Sequence, residues 1–218
     1  MLLSINMFVS LDGVVQGPGA PDEDRSGDFD RGGWVVPFAS ASTDEVVTQW
    51  FEKADAFLLG RTTFEMLRGY WPEVTDERSV IASQLNSLPK YVVSSTLSDA
   101  AADWPVTTVV TGELVSEVQR LKDRPGGELQ VHGSWALVRS LHEAGLVDVY
   151  RMLVYPVVVG GGKRLFPDGA LPASFSVAAD ASRVLPGGVV SLTLTPEHLG
   201  SIQAGAYVVD EGRSVPNA

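Results

Sequence analysis

Apolar residues recur at every second position at the start of the chain, where Leu3, Ile5, Met7, Val9 and Leu11 alternate with Ser4, Asn6 and Ser10. A period of two marks a strand with one buried face, and Asp12-Gly13 supplies the turn that closes it. The run GPGAPDEDRSGDFDRGG from 17 to 33 has little to bury and reads as either a disordered segment or a functional loop over a site, ended by Trp34. Between 44 and 54 the period becomes helical, with Val46, Val47, Trp50, Phe51 and Ala54 on one face and Ser42, Thr43 and Asp44 as candidate N-caps.

ADAFLLG at 54 to 60 reads as a buried central strand. A helix follows from about 63, a second spans about 77 to 88, and KYVVSS from 90 is a strand. TTVV at 107 to 110 leads into a helix aligned on Leu114, Val118 and Leu121. ELQVH at 128 to 132 is a strand, ALVRSLHEA a helix stopped by Gly145, and VDVYRMLVYPVVV at 147 to 159 one long strand. There the alternation ceases. SFSVAA at 174 to 179 and VVSLTL at 189 to 194 predict an antiparallel pair, with a Pro-Gly-Gly turn before the second arm. Residues 201 to 218 form a mostly polar tail, with some order expected around 206 to 209. The pattern predicts one α/β domain over 1 to 200, a mostly parallel sheet flanked by helices with antiparallel strands at one edge.

Charge and composition narrow the partners. The 27 acidic residues against 16 basic ones give a net charge of −11, which repels nucleic acid and anionic membranes at long range, so a phosphate ligand must be caught by local donors. The absence of cysteine removes disulfides, thiolate metal sites and cysteine nucleophiles. His132, His142 and His198 have no ligand spacing, so no metal is expected. No basic leader precedes the first strand and no apolar stretch is long enough to span a bilayer, which makes a cytoplasmic location the default.

Two strand-to-helix junctions carry the candidate chemistry, because helix starts present unpaired N–H groups at the carboxyl ends of parallel strands. At the first, Gly60 turns the chain, Thr62 and Glu65 fit a capping box, and Arg61 projects beside the helix start. Thr62 is then either a cap, or Thr62 and Thr63 donate to a pyrophosphate with a further phosphate on Arg61. At the second, Gly133-Ser134 separates a strand from a helix, with Ser134 either an N-cap or a donor to a ligand. Walker, G-x-G-x-x-G and G-x-S-x-G patterns are absent from the chain.

Together the motifs SLDGVV (10 to 15), GGW (32 to 34), ADAFLLGRTTFE (54 to 65), KYVVSSTL (90 to 97), VHGSWALVRSLHEAGLVD (131 to 148) and PVVVGGGKRLFPDG (156 to 169) resemble the dihydrofolate reductase-like superfamily. The closest branch is that of the C-terminal reductase domain of the riboflavin-pathway deaminase/reductase. The resemblance implies a three-layer dihydrofolate reductase-like fold that binds NADPH and transfers a hydride to a C=N or C=O bond of a pterin-like, ribosylaminopyrimidine-like or other small heterocyclic substrate. It assigns Gly60, Arg61, Thr62 and Thr63 to the phosphates, and Ser94 and Ser95 to the adenosine 2′-phosphate. Val131, His132, Gly133, Ser134, Trp135 and Ala136 fall around the pyrophosphate and nicotinamide ribose, and Val14, Val15 and Gly17 border the nicotinamide. It also implies a homodimer.

Two positions depart from the family pattern: His132-Gly133 stands where relatives often have Gly-Gly, and Asp148-Val149 where Asp-Glu is common. On the substrate side, counting back from Gly60 puts Asp44 at the place of the acid that assists reduction, although Asp44 also suits a helix cap. Asp12 either closes its turn or points into the cleft, and Trp34 is either a lid aromatic or a loop anchor. A non-catalytic nucleotide- or ligand-binding module on the same fold is the alternative.

Overall fold

The computed structural model describes residues 1–217, so residue 218, the last of the predicted tail, lies outside the described residues. The central sheet is built from β1 (Leu2–Ser10), β2 (Ala54–Gly60), β3 (Lys90–Val93), β4 (Thr107–Val110), β5 (Glu128–Val131), β6 (Val149–Tyr155), β7 (Ala173–Val177), β8 (Arg183–Val184) and β9 (Val190–Leu199). Its order is β4-β3-β2-β5-β1-β6-β9-β7, with β8 paired to β9. From β4 to β6 every pairing is parallel, and β9 joins β6, β7 and β8 antiparallel. The fold is therefore α/β with a mixed, mostly parallel sheet. The Pro186-Gly187-Gly188 turn joins β8 to β9, and the Leu185 N–H closes it on the Val189 carbonyl at 2.7 Å. β7 pairs with the far end of β9.

Five helices, α1 (Ala41–Phe51), α2 (Arg61–Arg68), α3 (Val80–Ser87), α4 (Leu114–Lys122) and α5 (Trp135–Glu143), flank the sheet. On one face Leu3, Ile5, Met7, Leu58, Leu129 and Val131 pack against Val118 and Leu121 of α4 and Leu137, Val138 and Leu141 of α5. Each such side chain, once buried, stabilises the fold by about 1.5–3 kcal/mol. On the other face Phe57, Leu59 and Val92 meet Phe51 of α1, Phe64 of α2 and Leu85 of α3. A third cluster joins Trp34, Val46 and Trp50 to Leu153 and Tyr155.

Two local expectations are corrected and a third is extended. Helix α1 starts one turn earlier than predicted: Ser40, not Ser42, Thr43 or Asp44, is the N-cap, its hydroxyl accepting from the Thr43 amide while Thr43 reaches back to the Ser40 amide. The predicted strand over 147 to 159 stops at Tyr155, because Pro156 lacks an N–H and the Val157 amide folds back on the Tyr155 carbonyl at 2.8 Å. The tail forms a hairpin of β10 (Ala206–Asp210) and β11 (Arg213–Asn217), paired antiparallel as a separate two-stranded sheet.

Candidate active site at the carboxyl ends of the strands

Strand β5 is short. Its last pairings are Val131 with Ile5 on one side and Gln130 with Phe57 on the other, whereas β1 runs on to Ser10 and β2 to Gly60. The two long strands are thus separated at their carboxyl ends by the turn that follows β5. In an open α/β sheet this is where ligands bind.

The turns after β2 and β5 touch. A Cβ added at Gly60 would overlap the Ser134 hydroxyl and lie 2.7 Å from the Ser134 Cβ, so the close approach requires glycine. The Ser134 amide donates to the Thr63 hydroxyl at 3.2 Å, and Gly133 adopts φ of +80°, a left-handed conformation that favours glycine. Helix α2 has Gly60 at its N-cap and α5 has Ser134, and neither carries a side-chain capping bond. In contrast, Ser40, Ser79 and Glu113 cap α1, α3 and α4. The Thr62–Glu65 capping box does not form, because the helix begins at Arg61 and puts Thr62 inside its first turn, and Glu65 pairs with Arg61 at 2.8 Å.

Arg61 bridges two strand ends. Beyond Glu65 it donates from Nη1 to the Thr96 hydroxyl at 2.8 Å, past the end of β3. Ser94 turns that segment by accepting from the Thr96 and Leu97 amides at 3.2 and 3.0 Å, while Ser95, Thr62 and Ala136 are exposed. Trp135 is half-buried, with its indole N–H on the Arg164 carbonyl.

At the end of β1 the loops interlock. Val14 and Val15 are buried, and Val14 bridges to Arg164. Gly17 is buried beside the Phe29 ring, and its carbonyl accepts from the Gly33 amide at 2.8 Å. The segment from 17 to 33 is ordered: Lys163 pairs with Asp24 at 2.7 Å, the Gln16 amide group donates to the Ser26 carbonyl, and Arg31 donates to the Val159 carbonyl. Trp34 is 8% exposed, donates to the Gln16 carbonyl at 2.9 Å and meets Tyr155 edge-on at 5.7 Å, which makes it an anchor of this assembly.

Both Asp12 oxygens are engaged, by the Ser10 hydroxyl and the Val159 and Gly160 amides. Burial pushes the Asp12 carboxyl up, but these hydrogen bonds outweigh it and hold the group at about 2. Asp44 is exposed in the first turn of α1. Burial lifts the Tyr155 phenol to about 12, and the negative charge of Asp44 adds to the rise, which places that carboxylate within electrostatic reach of the Phe8, Trp34, Phe38 and Tyr155 aromatic cluster.

One buried polar network escaped the sequence reading. The polar face of β1 is not solvated: Ser4, Asn6 and Ser10 are 0%, 3% and 1% exposed. Beneath α1, Ser4 and Asn6 meet a bidentate pair in which Arg151 donates to Glu128 at 2.7 and 2.6 Å, while the Ser10 hydroxyl turns to Asp12. Ser4 and Gln130 donate to the same carboxylate at 3.0 and 2.9 Å. Burial raises the Glu128 carboxyl, and the Arg151 guanidinium overcomes this and lowers it. Gln130 also donates to the Trp50 carbonyl at 2.6 Å, and its oxygen meets Nε2 of His132 at 2.8 Å. The His132 ring stacks on Phe51 at 4.3 Å. Desolvation, aided by the Arg151 charge and opposed by Glu128, lowers His132 to about 3. The available signal was the alternation Glu128, Gln130, His132 opposite Ser4 and Asn6, two polar stripes that pair only once the strands are known to be neighbours.

A separate cavity of about 520 Å³ lies at the opposite end of the sheet, lined by Leu2, His142, Tyr150, Thr195 and Leu199 among others, and takes no part in this site. Among the described residues no cluster of three His, Asp or Glu side chains is arranged to hold a metal, and no helix is long and apolar enough to cross a membrane.

With this geometry established, comparison with known proteins identifies the class. The fold is that of the dihydrofolate reductases: a dihydrofolate reductase from Enterococcus faecalis, solved with NADP(H), superposes with a TM-score of 0.54 at 16% identity, covering 90% of this chain and 97% of that one. The model of the RibD C-terminal domain matches residues 2–195, and the chain belongs to that family. A protein from Shewanella sp. PV-4 described as acting in riboflavin biosynthesis superposes at a TM-score of 0.64 and 20% identity, over 91% of this chain and 100% of that one. RibD from Acinetobacter baumannii gives a TM-score of 0.59 at 15% identity over 90% of this chain, which spans 58% of that longer protein. The uncharacterized protein YyaP of Bacillus subtilis (strain 168) is 28% identical over 166 residues, 75% of this chain and 79% of that protein.

Proposed function

We propose that the protein is an NADPH-dependent reductase of a small heterocyclic substrate, pterin-like or ribosylaminopyrimidine-like, delivering hydride to a C=N or C=O bond. Membership in the RibD C-terminal domain family supports a reductase-type function. The observation that carries the cofactor is the pair of adjoining helix starts, α2 and α5, which alone among the five helices lack side-chain caps. Their first-turn amides and helix dipoles suit a pyrophosphate, and the glycine at Gly60 lets the start of α5 lie close against the start of α2. The donor set fits a phosphorylated dinucleotide: Thr62 and Thr63 on the phosphates, Arg61 beside them once it exchanges Glu65 for a phosphate oxygen, and Ser94 and Ser95 at the 2′-phosphate. Ser134, Trp135 and Ala136 border the ribose, and Val14, Val15 and Gly17 form the apolar wall for a flat ring. The dinucleotide, when bound, supplies the hydride. Asp44 is an acid whose charge reaches Tyr155 in the aromatic cluster, and it would hold the substrate edge or pass a proton from solvent to the reduced nitrogen.

A second reading, a binding module without turnover, is favoured by one observation: Asp44 is exposed, and the buried carboxylate in this layer, Glu128, is locked to Arg151. The two readings separate in one experiment. Titration with NADPH is expected to quench tryptophan fluorescence and raise the melting temperature, and a panel of dihydropteridine, ribosylaminopyrimidine and carbonyl compounds then reports oxidation at 340 nm, the ordinary NADPH absorbance. Indifference to saturating NADPH removes the reductase reading, and binding without oxidation across the panel leaves the module.

A further inference from the structure

This chain places His132 just past the end of β5, against the turn between the two long strands. Its protonation state is fixed by a chain of hydrogen bonds that allows one orientation. The Arg151 fork makes Glu128 an acceptor on both oxygens. The Gln130 amide nitrogen lies between the Trp50 carbonyl and Glu128 Oε2, at 2.6 and 2.9 Å, and the flipped amide would set an oxygen against both acceptors. Gln130 Oε1 is therefore an acceptor toward His132, and the partner at 2.8 Å, His132 Nε2, must carry the proton. Nδ1 is left with a lone pair. Among the described residues nothing hydrogen-bonds to it, His132 is only part-buried, and Phe51 stacks on the ring and holds it in place. Desolvation and the Arg151 charge keep the ring neutral down to about 3, so the lone pair persists at any physiological pH.

We propose that His132 Nδ1 is a pre-oriented acceptor in the floor of the active site, built to take an amide-type N–H from a bound ligand. The inference rests on the reductase reading and deepens it by naming the chemistry the site selects: a planar group with an N–H donor, supplied either by the carboxamide of the nicotinamide or by a lactam in the substrate ring. A ligand offering a carbonyl there meets the lone pair with another lone pair and is disfavoured.

The test reads the imidazole directly, by two-bond proton–nitrogen spectra of protein labelled with nitrogen-15 histidine. The unliganded protein should show His132 as the Nε2–H form, unchanged from pH 8 to pH 5. NADPH at saturation should shift Nδ1 toward the hydrogen-bonded range, and the 3-acetylpyridine analogue of NADPH, which has a ketone in place of the carboxamide, should not. If both nucleotides leave Nδ1 unmoved and a dihydropteridine lactam shifts it, the substrate is the donor. An Nδ1–H form in the unliganded protein, or an Nδ1 signal unmoved by all three compounds, overturns the proposal. Tryptophan quenching recorded on the same samples reports cofactor binding independently, so failure of the reductase reading is seen as absent quenching whatever the imidazole does. His132→Phe, which keeps the stack on Phe51 and removes the acceptor, is expected to weaken the donor-bearing ligand by about five- to tenfold, with the acetylpyridine analogue unchanged.

Discussion

Glu128 and Arg151 are each less than a tenth exposed, and such a pair contributes little as a unit while its disruption costs heavily, because the survivor is a buried charge without a counterion. Glu128→Ala should therefore lower unfolding free energy by about 3–5 kcal/mol in urea denaturation. A second residue-scale effect comes from His132. Its folded value of about 3 lies below the ordinary 6.5, so between those values the unfolded chain binds more protons and stability falls as pH drops. Asp12, held at about 2 against an ordinary 3.8, adds its own loss only below that point. Wild-type protein should thus lose denaturation midpoint steadily from about pH 6.5 to 4.5, and His132→Gln should flatten that slope. A slope identical in the variant would assign the acid sensitivity elsewhere. These residues were the least legible in the sequence. A glutamate and an arginine far apart along a chain carry no local sign of each other, and the polar side of an alternating strand looks solvated until a helix is seen to cover it.

The elements themselves were far more readable. Alternation in β1, the apolar run of β2 and the helical stripes of α4 and α5 each follow from one face being buried, and the local pattern carries that information. Errors fell where a non-local partner decides. Ser40 lies before the first apolar residue of α1, so its role as cap depends on how the preceding loop arrives. The first turn of α2 begins at Arg61, one residue before the expected cap, which leaves Thr62 inside the helix and Glu65 free to pair with Arg61. The contact between the turns after β2 and β5 depends on those strands being neighbours, which the order of elements does not disclose. That contact is testable. Gly60→Ala should push Ser134 and α5 outward and weaken NADPH by more than about tenfold. Adding Ser134→Gly should restore much of the affinity, a non-additivity expected only if the two turns pack as described.

At the scale of the whole molecule, the sheet and its helices form one body that the family match covers to residue 195, and the hairpin of β10 and β11 stands outside it. Tyr207 and Val209 are 79% and 80% exposed, so the hairpin has little to lose on removal. Truncation after Gly200 should leave the melting temperature within about 2 °C of the full chain and NADPH binding unaltered. A larger drop would mean that the hairpin packs against the body in solution.

The pinned segment from 17 to 33 bears on how such a site would fill and empty. Lys163 and Val159, in the loop after β6, hold it through Asp24 and Arg31, and Gln16 holds it through Ser26 and Trp34, so it is fastened to its neighbours on two sides. Traffic of a bound molecule on that side would be timed by the breathing of two stitched ribbons together, and a single added fastening between them would slow departure without touching the chemistry.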